Sequence, residues 1–382
     1  MNFIFINIGM LMFRGGGENY AVNIARALRD RGCRSELYTL RPMFSKAQLS
    51  VPDFFDKVYV LRSPWLYTIT SMFHRNRLMR RLKGIRGIPR IIGQIIFELR
   101  VFVCLWRRRH ESFVVHSCCL PLVSCLVTRF LNKKGLLRMP GPIDNPYDRY
   151  FGLRSAGIIA NGNAYQRIRQ DYNPSNLHFI NVGVDYSEEP AEEALGLMRR
   201  KLNISSEHFV VLFVGRLIEV KNIPMLLSGF KGLLDFGINA KLFIVGDGPN
   251  AAQCRSMVSD LGLNSSIHLT GWMDADELTV TYRLADVCVL TSHYDNYPNV
   301  LIEAMACGTP CIGTSVGGIP DIVHHGIDGM LVQPNDCKGL AETLLRFACG
   351  EMKIDRTQLQ KRTLKSFSWH QSACRMIDIA NS

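Results

Sequence analysis

The sequence predicts an α/β fold made of two doubly wound domains, each with a parallel sheet covered by helices on both faces. Short apolar segments alternate with amphipathic ones along the chain, which is typical of strand–helix–strand units. The alternation starts again after a polar, acidic stretch at residues 187–193, which reads as a linker. With 382 residues, 47% of them hydrophobic, the chain is long enough to bury two cores. We therefore expect a first domain at residues 1–185 and a second at 186–365, sharing a cleft.

In the first half, the apolar opening segment at residues 3–8 predicts a buried strand. It has neither the charged start nor the small-residue cleavage site of a signal peptide. An amphipathic helix is expected next at 18–31, closed by Gly32. Further strands are expected in order at 34–39, 57–61, 113–116, 157–160 and 178–181.

The second half repeats this pattern. Apolar runs predict strands at 208–214, 241–245, 267–269, 287–290 and 310–313. A helix is expected at 223–234 and another at 300–306, where Pro298 suits the first helical position. Gly308 followed by Pro310 is a signal for the end of that helix.

Charge is distributed unevenly along the chain, whose formal net charge is +12. Residues 1–185 hold 28 Lys and Arg against 11 Asp and Glu, whereas residues 186–382 hold 17 against 22. Between Arg75 and Arg109 there are eleven basic residues and one acid, Glu98, around an apolar segment at 91–106. That segment is too short and too charged to span a membrane. Basic residues beside an apolar stretch suit a helix lying on an anionic membrane surface.

The alternative for this segment is a core helix with a solvated basic face. Nucleic acid is not expected as a partner, because no nucleic-acid-binding motif accompanies the charge. Twelve cysteines without CxxC pairs or His/Cys ligand spacing indicate a reducing compartment and no structural metal. We therefore expect a cytoplasmic protein that lies peripherally on the inner face of the cell membrane.

The most informative segment is D-N-Y-P-N-V-L-I-E-A-M-A-C-G-T-P at residues 295–310. Asp295 is expected in a loop and Glu303 on the following helix. Between them, the free amides of the first helical turn, near Asn299 and Val300, form an anion site. Carboxylates that accept from hydroxyls, beside amides that hold phosphate, suit a nucleotide sugar. The alternative is an ordinary strand–loop–helix unit with solvated acids.

Two further groups could meet phosphate. Gly15, Gly16 and Gly17 follow the first strand and open a helix, so the backbone there can approach a ligand closely, although a plain tight turn is an equal alternative. Arg216 and Lys221 follow the first strand of the second half, where both cations can converge on a diphosphate. Gly317-Gly318 repeats the strand–glycine–helix arrangement. This pair could contact the nucleotide or its phosphates, or it could be a turn that packing requires.

These motifs, in the order G-R-L-x4-K, G-D-G-P, S-x2-Y-D-N-Y-P-N-V-L-I-E-A-M-A-C-G-T-P and G-G-I-P-D-I-V, resemble the retaining glycosyltransferases of family 4. The likeness is strong over residues 205–335. It continues in the first half through I-I-A-N-G and N-V-G-V-D, and at the end through F-S-W. The resemblance implies a GT-B fold, with two doubly wound Rossmann-like domains facing across a cleft. It also implies a last helix, at 366–382, that crosses back onto the acceptor-binding first domain.

The resemblance also implies roles for individual residues. Arg216 and Lys221 would bind the donor diphosphate, and Asp295 would contact hydroxyls of the transferred sugar; these three form the expected catalytic group. Glu303 would accept from the ribose hydroxyls, and the amides near Asn299 and Val300 would assist. The glycines Gly15, Gly16 and Gly17 would close on the donor phosphates from the other domain. With two fixed cations at the diphosphate, neither a metal nor another cofactor is expected.

Two positions depart from the family pattern. The family usually has Glu where this chain has Asp295, so the charge is kept but the reach is shorter. Many members have a His two residues beyond His116, where this chain has Cys118. His116 itself is a possible residue of the acceptor side, although it is expected within a strand.

The function implied is transfer of a sugar, with retained configuration, from a nucleoside-diphosphate sugar to a polysaccharide or lipid-linked oligosaccharide. Two alternatives stay open. One is a nucleotide-sugar epimerase of the same fold, which would need acid and base residues that the sequence does not show. The other is an inactive partner subunit, suggested by Asp295 and Cys118 but opposed by the presence of Arg216, Lys221 and Glu303.

Overall fold

The computed structural model describes residues 1–8, 16–40, 55–61, 88–141, 143, 145–184 and 190–382. The chain divides into two compact units. The first unit comprises Met1–Gly183 together with Trp369–Ser382, and the second comprises Val184–Ser368. The last segment of the chain therefore belongs to the same unit as the first.

The first unit is built on a seven-stranded parallel sheet in the order β3-β2-β1-β4-β5-β6-β7. The sequence predicts all of these strands except β5, whose four residues begin with glycine and end with arginine. The strands are β1 Asn2–Ile6, β2 Arg34–Leu40, β3 Lys57–Leu61, β4 Val114–Cys118, β5 Gly135–Arg138, β6 Gly157–Ala160 and β7 Leu177–Phe179.

Helices cover this sheet because each has an apolar stripe that packs on it. In the longest helix, Phe97, Val101 and Leu105 recur every four residues and are fully buried against β1 and β4 residues such as Ile4 and Val115. The helices are Gly16–Arg29, Ile88–Arg107, Pro121–Phe130, Pro146–Gly152, Gly162–Tyr172 and Trp369–Asn381.

The closing helix Trp369–Asn381 packs on the opening helix Gly16–Arg29. The Tyr20 and Trp369 rings meet edge to face, with centroids 5.6 Å apart. Ser372 donates to the carbonyl of Asn181 at 2.8 Å. The indole also covers Gly183 so closely that a side chain at that position would collide with it.

The second unit has a six-stranded parallel sheet in the order β10-β9-β8-β11-β12-β13. The sequence predicts these strands except β13. They are β8 Phe209–Val214, β9 Ala240–Val245, β10 Ile267–Gly271, β11 Val287–Leu290, β12 Cys311–Thr314 and β13 Gly329–Val332. Its helices are Glu192–Lys201, Ile223–Asp235, Ala251–Asp260, Ala275–Leu284, Asn299–Ala306, Cys337–Ala348 and Arg356–Ser366.

Three local expectations are wrong. The helix after β11 begins at Asn299, because Pro298 keeps an extended ψ of 106° and is the N-cap rather than the first helical residue. A turn, not a helix, follows Gly317-Gly318. Residues 187–189 of the expected linker lie outside the described residues, and the helix Glu192–Lys201 begins within its remainder. Within the described ranges, no helix is long and apolar enough to cross a membrane.

Candidate functional site

The predicted donor-site residues surround the centre of the second sheet. The strand order reverses between β8 and β11, which pair in register through Val211–Val287 and Leu212–Cys288. Chains that leave the carboxyl ends of two such strands diverge and open a crevice, where ligands bind in doubly wound sheets. Arg216 and Lys221 follow β8, and Asp295 follows β11, so all three lie at this edge.

Lys221 is held by a short, well-anchored turn. It ends the 3-10 turn Glu219–Lys221, and Asn222 then adopts the left-handed conformation with φ 49°. The Thr291 hydroxyl donates to the carbonyls of Lys221 and Asn222 at 3.1 Å each. The amide of His293 donates to the carbonyl of Val220 at 2.8 Å. The residues after β11 thus fix the turn that carries Lys221.

Lys221 and Asp295 form a direct ion pair. Their side chains keep only 15% and 19% of their surface exposed, so the pair is shielded from most of the solvent. Ser292 also lies 3.5 Å from the Asp295 carboxylate through its hydroxyl. The structure therefore brings together two of the three predicted catalytic residues, which are 74 positions apart in the chain.

The Asp295 loop is fixed by the glycine turn after β12. The Gly318 amide donates to the Asp295 carbonyl at 2.9 Å. Gly317 has φ +55°, and a side chain there would overlap the same carbonyl, while one at Gly318 would overlap the carbonyl of Asn296. Close packing of two loops explains this glycine pair.

Arg216 is the exposed member of the predicted group. Its backbone is fixed, because the neighbouring Leu217 amide donates to the Asp247 carbonyl at 3.0 Å. Within the described part of the chain, its guanidinium makes no hydrogen bond or ion pair. It is therefore a cation available to an anion at the carboxyl edge.

Glu303 faces Tyr282 on the preceding helix. The Tyr282 hydroxyl donates to the Glu303 carboxylate at 3.1 Å. Burial raises the pKa of Tyr282 well above its usual value, and the nearby Glu303 charge raises it further, so the hydroxyl keeps its proton. Tyr282 thus orients Glu303, a role that the sequence does not reveal because the two lie on different helices.

The amides of Asn299 and Val300 lie in the first turn of the helix Asn299–Ala306, as predicted. Its N-cap, Pro298, has no side chain that could accept from them, and the side chains of both residues are half-buried. These donors are therefore available to an anionic group.

The remaining predicted site residues, the glycines at 15–17 and His116, belong to the first unit. Gly15 lies outside the described residues, and Gly16 and Gly17 open the helix Gly16–Arg29. His116 lies inside β4 with 1% of its surface exposed, between the rings of Phe5 and Tyr20. Burial lowers the pKa of His116 to about 3, and the Arg138 charge adds to this, so the ring is neutral. The acceptor-side role of His116 stays a prediction.

Within the described residues, no three His, Cys, Asp or Glu side chains gather as metal ligands would. The one Asp-x-Asp sequence near the second sheet, Asp274-Ala275-Asp276, begins a helix instead. Asp274 is the N-cap and accepts from the Glu277 amide at 2.9 Å. Metal independence stays a prediction.

Two family models match the chain. Residues 197–365 match the family described as "Glycosyl transferases group 1", and residues 14–188 match "Glycosyltransferase Family 4". The chain belongs to glycosyltransferase family 4. This confirms the family predicted from the motifs, and with it the class of enzyme.

Curated relatives match over part of their length. The N-acetyl-alpha-D-glucosaminyl L-malate synthase of Bacillus anthracis is 30% identical over 149 residues, which are 39% of this chain and 38% of the relative. The D-inositol 3-phosphate glycosyltransferase of Streptosporangium roseum is 30% identical over 217 residues, 54% of this chain and 49% of the relative. The chain thus spans about half the length, or less, of these two relatives.

Solved structures match over the whole chain. HepE from Anabaena, in complex with UDP and glucose, has a TM-score of 0.73 at 17% identity and covers 99% of this chain and 98% of its own. The apo form of WaaB, a lipopolysaccharide outer core galactosyltransferase, has a TM-score of 0.71 at 19% identity and covers 99% of both chains. These likenesses confirm the predicted GT-B fold class.

Proposed function

We propose that this family 4 glycosyltransferase transfers a sugar, with retained anomeric configuration, from a nucleoside-diphosphate sugar to a saccharide or lipid-linked saccharide. The Lys221–Asp295 pair carries this proposal. It sets a cation for the diphosphate beside a carboxylate for the sugar, at the strand reversal where a ligand would bind. Two proteins of the same fold support the proposal. HepE is solved with UDP and glucose, and WaaB is described as a galactosyltransferase.

In the proposed reaction, the acceptor hydroxyl attacks the anomeric carbon on the face from which the diphosphate departs. The bond from that carbon to the phosphate oxygen breaks, and a bond to the acceptor oxygen forms. The acceptor proton moves to the departing phosphate oxygen. The products are therefore the glycoside and a nucleoside diphosphate, with the configuration at the anomeric carbon unchanged.

The catalytic contribution of the protein in this scheme is electrostatic. Negative charge grows on the diphosphate as the bond breaks, and Arg216 and Lys221 stabilise that charge more in the transition state than in the ground state. The amides of Asn299 and Val300 supply further donors, and Glu303 binds the ribose while Tyr282 holds it. We propose that these groups suffice without a metal ion.

The acceptor belongs to one of two chemical classes. The resemblance implies a polysaccharide or a lipid-linked oligosaccharide. The names of two relatives instead contain L-malate and D-inositol 3-phosphate, which are small anions that carry hydroxyl groups. Both classes supply the hydroxyl that the reaction needs.

A panel of UDP- and GDP-sugars, each incubated with candidate acceptors, tests the proposal. Release of nucleoside diphosphate together with a product of unchanged anomeric configuration is the expected result. An inverted product would refute the mechanism. Conversion of the donor sugar without transfer would indicate an epimerase, and no turnover with any donor would indicate an inactive partner subunit.

We also propose that the first unit lies on an anionic membrane surface, at the inner face of the cell membrane. The helix Ile88–Arg107 is apolar on two sides, and only one of them is buried. The outer side is a continuous stripe whose residues keep between 39% and 52% of their surface exposed: Ile92, Ile96, Leu99, Val103 and Trp106. Phe130, 59% exposed, extends the apolar surface near Phe102. Such a stripe on a helix suits the boundary between lipid head groups and acyl chains.

The charges near the stripe favour anionic lipid over a second copy of the chain. Arg107 and Arg109 are exposed at the end of the helix, and the Arg109 guanidinium lies 5.8 Å from the Trp106 ring centroid. A basic rim would repel its own copy but attract anionic head groups. Part of the segment between Arg75 and Arg109, residues 75–87, lies outside the described residues. Arg108 is unsuitable for the role, because it is ion-paired with Glu36 and Glu111.

Vesicle sedimentation tests this surface. Replacing Ile96 and Val103 together by Gln should abolish most binding to vesicles that contain anionic lipid, because the apolar stripe would no longer enter the lipid. The control is Val60→Gln, a valine on β3 of the same unit that is 40% exposed, close to the 39% of Ile96. Wild-type binding should weaken as salt rises. Equal binding by the stripe variant and the wild type would refute the membrane role of the stripe.

A further inference from the structure

A row of polar side chains lies at the carboxyl edge of the first sheet. Cys118 of β4 pairs in register with Arg138 of β5, which in turn pairs with Ile159 of β6. Side chains two residues apart point to the same face of a sheet. His116, two residues before Cys118, and Asn161, two residues after Ile159, therefore share the face of Arg138.

Aromatic side chains from two helices cover this face. The Arg138 guanidinium lies 3.6 Å from the centroid of the Tyr20 ring. The same ring stacks on His116 with centroids 5.8 Å apart and meets Trp369 at 5.6 Å. The cluster formed by Tyr20, His116, Arg138, Asn161 and Trp369 lies wholly within the first unit. We call it the arginine cluster.

Every member of the arginine cluster has a buried polar atom without a hydrogen-bond partner in the described part of the chain. Arg138 keeps 6% of its surface exposed, Asn161 3%, and Tyr20 and His116 1% each. The atoms are Arg138 Nη1, Asn161 Nδ2, Trp369 Nε1, Tyr20 Oη and His116 Nε2. Five such atoms on one face of the sheet or in the side chains that cover it are unusual, since buried polar groups are nearly always paired.

Most of these atoms can only donate. The guanidinium, amide and indole nitrogens of Arg138, Asn161 and Trp369 have no accepting capacity. Burial raises the pKa of Tyr20 to about 12, so its hydroxyl keeps a proton to donate. Among these unpaired atoms, donors therefore outnumber acceptors, since only the Tyr20 hydroxyl and the neutral His116 ring can also accept.

The cluster also carries a positive charge without a counter-charge. No carboxylate of the described residues forms an ion pair with Arg138, and the Tyr20 ring compensates only part of the charge. A buried guanidinium without an anion is costly. Buried water could accept from one or two of the donors, but it would leave the charge unneutralised.

We propose that the arginine cluster is an oxyanion site that binds a phosphate group of the acceptor substrate. A guanidinium binds phosphate through two parallel hydrogen bonds, and the neighbouring hydroxyl, amide and indole groups supply further donors. The assignment to the acceptor rests on the proposed function and on the family resemblance, which implies that the first domain binds the acceptor. Binding of the anion itself needs no turnover.

Phosphate binding to the full-length protein tests the site. Stabilisation against heat and isothermal titration would be measured with inorganic phosphate, as a free anion, and with glycerol 3-phosphate, as a phosphate that belongs to a larger molecule. All variants would be made in the Lys221→Ala background, which weakens phosphate binding at the donor site. Tighter binding of glycerol 3-phosphate would indicate a phosphorylated acceptor or head group as the source, and equal binding a free phosphate.

The expected result is that Arg138→Gln weakens phosphate binding at least about tenfold, as loss of a charge-assisted hydrogen-bond pair should. The matched control is Arg154→Gln, because Arg154 also lies over a tyrosine ring, 4.0 Å from the Tyr150 centroid, but is exposed. That variant should bind phosphate as its parent does. Tyr20→Phe keeps the ring and removes one donor, so it should weaken phosphate binding by a smaller factor. It replaces Arg138→Gln as the test variant if Arg138→Gln does not fold.

A second readout is the pKa of His116, followed by NMR. A bound phosphate would partly neutralise Arg138, whose charge lowers the His116 pKa, so that pKa should rise on phosphate addition. Two results would refute the site: unchanged phosphate binding in folded Arg138→Gln, or no phosphate binding in the Lys221→Ala parent. Ordered water would then be the better assignment for the arginine cluster. Arg138-dependent phosphate binding, together with no sugar transfer by the wild-type protein, would support the site and refute the proposed function.

Discussion

Replacing Lys221 by alanine should lower sugar transfer by about 100- to 1000-fold, the usual effect of removing one group that stabilises a developing charge. The side chain is held beside Asp295 at the strand reversal, so it does not need to be ordered at the moment of reaction. Because the lost interaction is stronger in the transition state, kcat should fall more than donor affinity. Release of nucleoside diphosphate at saturating donor measures this.

The same change should also affect folding stability. Lys221 and Asp295 are 15% and 19% exposed, between a surface pair and a fully buried one. Surface pairs contribute about 0–1 kcal/mol, whereas breaking a buried pair costs about 3–5 kcal/mol. We therefore expect Lys221→Ala to lower the free energy of unfolding by about 1–3 kcal/mol, because a half-shielded carboxylate is left without a cation.

Two variants separate catalysis from folding. The double variant Lys221→Ala/Asp295→Asn should regain stability, since no lone charge remains, but its turnover should stay low. Lys231→Ala breaks the Lys231–Asp235 pair, whose side chains are 42% and 63% exposed. It should change neither turnover nor, beyond about 0.5 kcal/mol, stability. Wild-type turnover in folded Lys221→Ala would refute the role of Lys221 at the donor diphosphate.

Three further predictions concern the donor site and the first unit. Tyr282→Phe removes the donor that holds Glu303, so steady-state kinetics should show a donor KM raised about 3- to 10-fold with kcat little changed; an unchanged KM would contradict this orienting role. Activity should survive EDTA, because two cations already act on the diphosphate, and complete loss rescued by manganese would show that the donor site is misassigned. Burial raises the pKa of Glu98 to about 7, from 4.5 when unfolded, so the folded state binds the proton more tightly and stability should fall as pH rises through this window. Urea unfolding at pH 5 and pH 8 should show that Glu98→Gln removes up to about 3 kcal/mol of this pH dependence, and identical pH profiles would contradict the shift.

Long apolar runs give the clearest strand predictions. β8 and β9 have six residues each, and both are buried throughout apart from Phe209. The sequence misses β5 and β13, G-L-L-R and G-M-L-V, although it predicts β6, G-I-I-A, which is equally short and also begins with glycine. Their pairing in the sheet, rather than their composition, makes them strands.

The sequence predicts part of the donor site because the motifs of this site lie at strand ends. The sequence predicts that Lys221 and Asp295 lie at the same edge, but not that they touch. Their ion pair depends on β8 and β11 being neighbours, although β9 and β10 lie between them in the chain. The partnership of Tyr282 and Glu303 has the same origin, since it forms between two helices.

A count of charges in the basic segment does not predict which side of its helix is buried. For the helix that contains Glu98, the sequence predicts contact with an anionic membrane surface, and the alternative is a core helix with a solvated basic face. In the structure Glu98 is fully buried and accepts from the Val123 amide at 2.8 Å, the Tyr147 hydroxyl at 2.8 Å and Gln94 at 3.0 Å. Glu98 thereby caps the helix Pro121–Phe130, whose own N-cap, Leu120, has no capping side chain. This contact fixes the rotation of the helix and turns an apolar stripe outward.

The presence of Asp295, where the family usually has Glu, has a consistent explanation within the proposed mechanism. The Asp295 carbonyl is fixed by the Gly318 amide, so the shorter side chain cannot gain reach from its backbone. In the structure its carboxylate is paired with Lys221. A donor diphosphate would compete for Lys221 and draw the ammonium toward its own charge, which leaves the carboxylate free to accept from the sugar hydroxyls. Binding of the donor would then release the Asp295 carboxylate from Lys221 at the same time. An aspartate at this position is therefore compatible with an active enzyme.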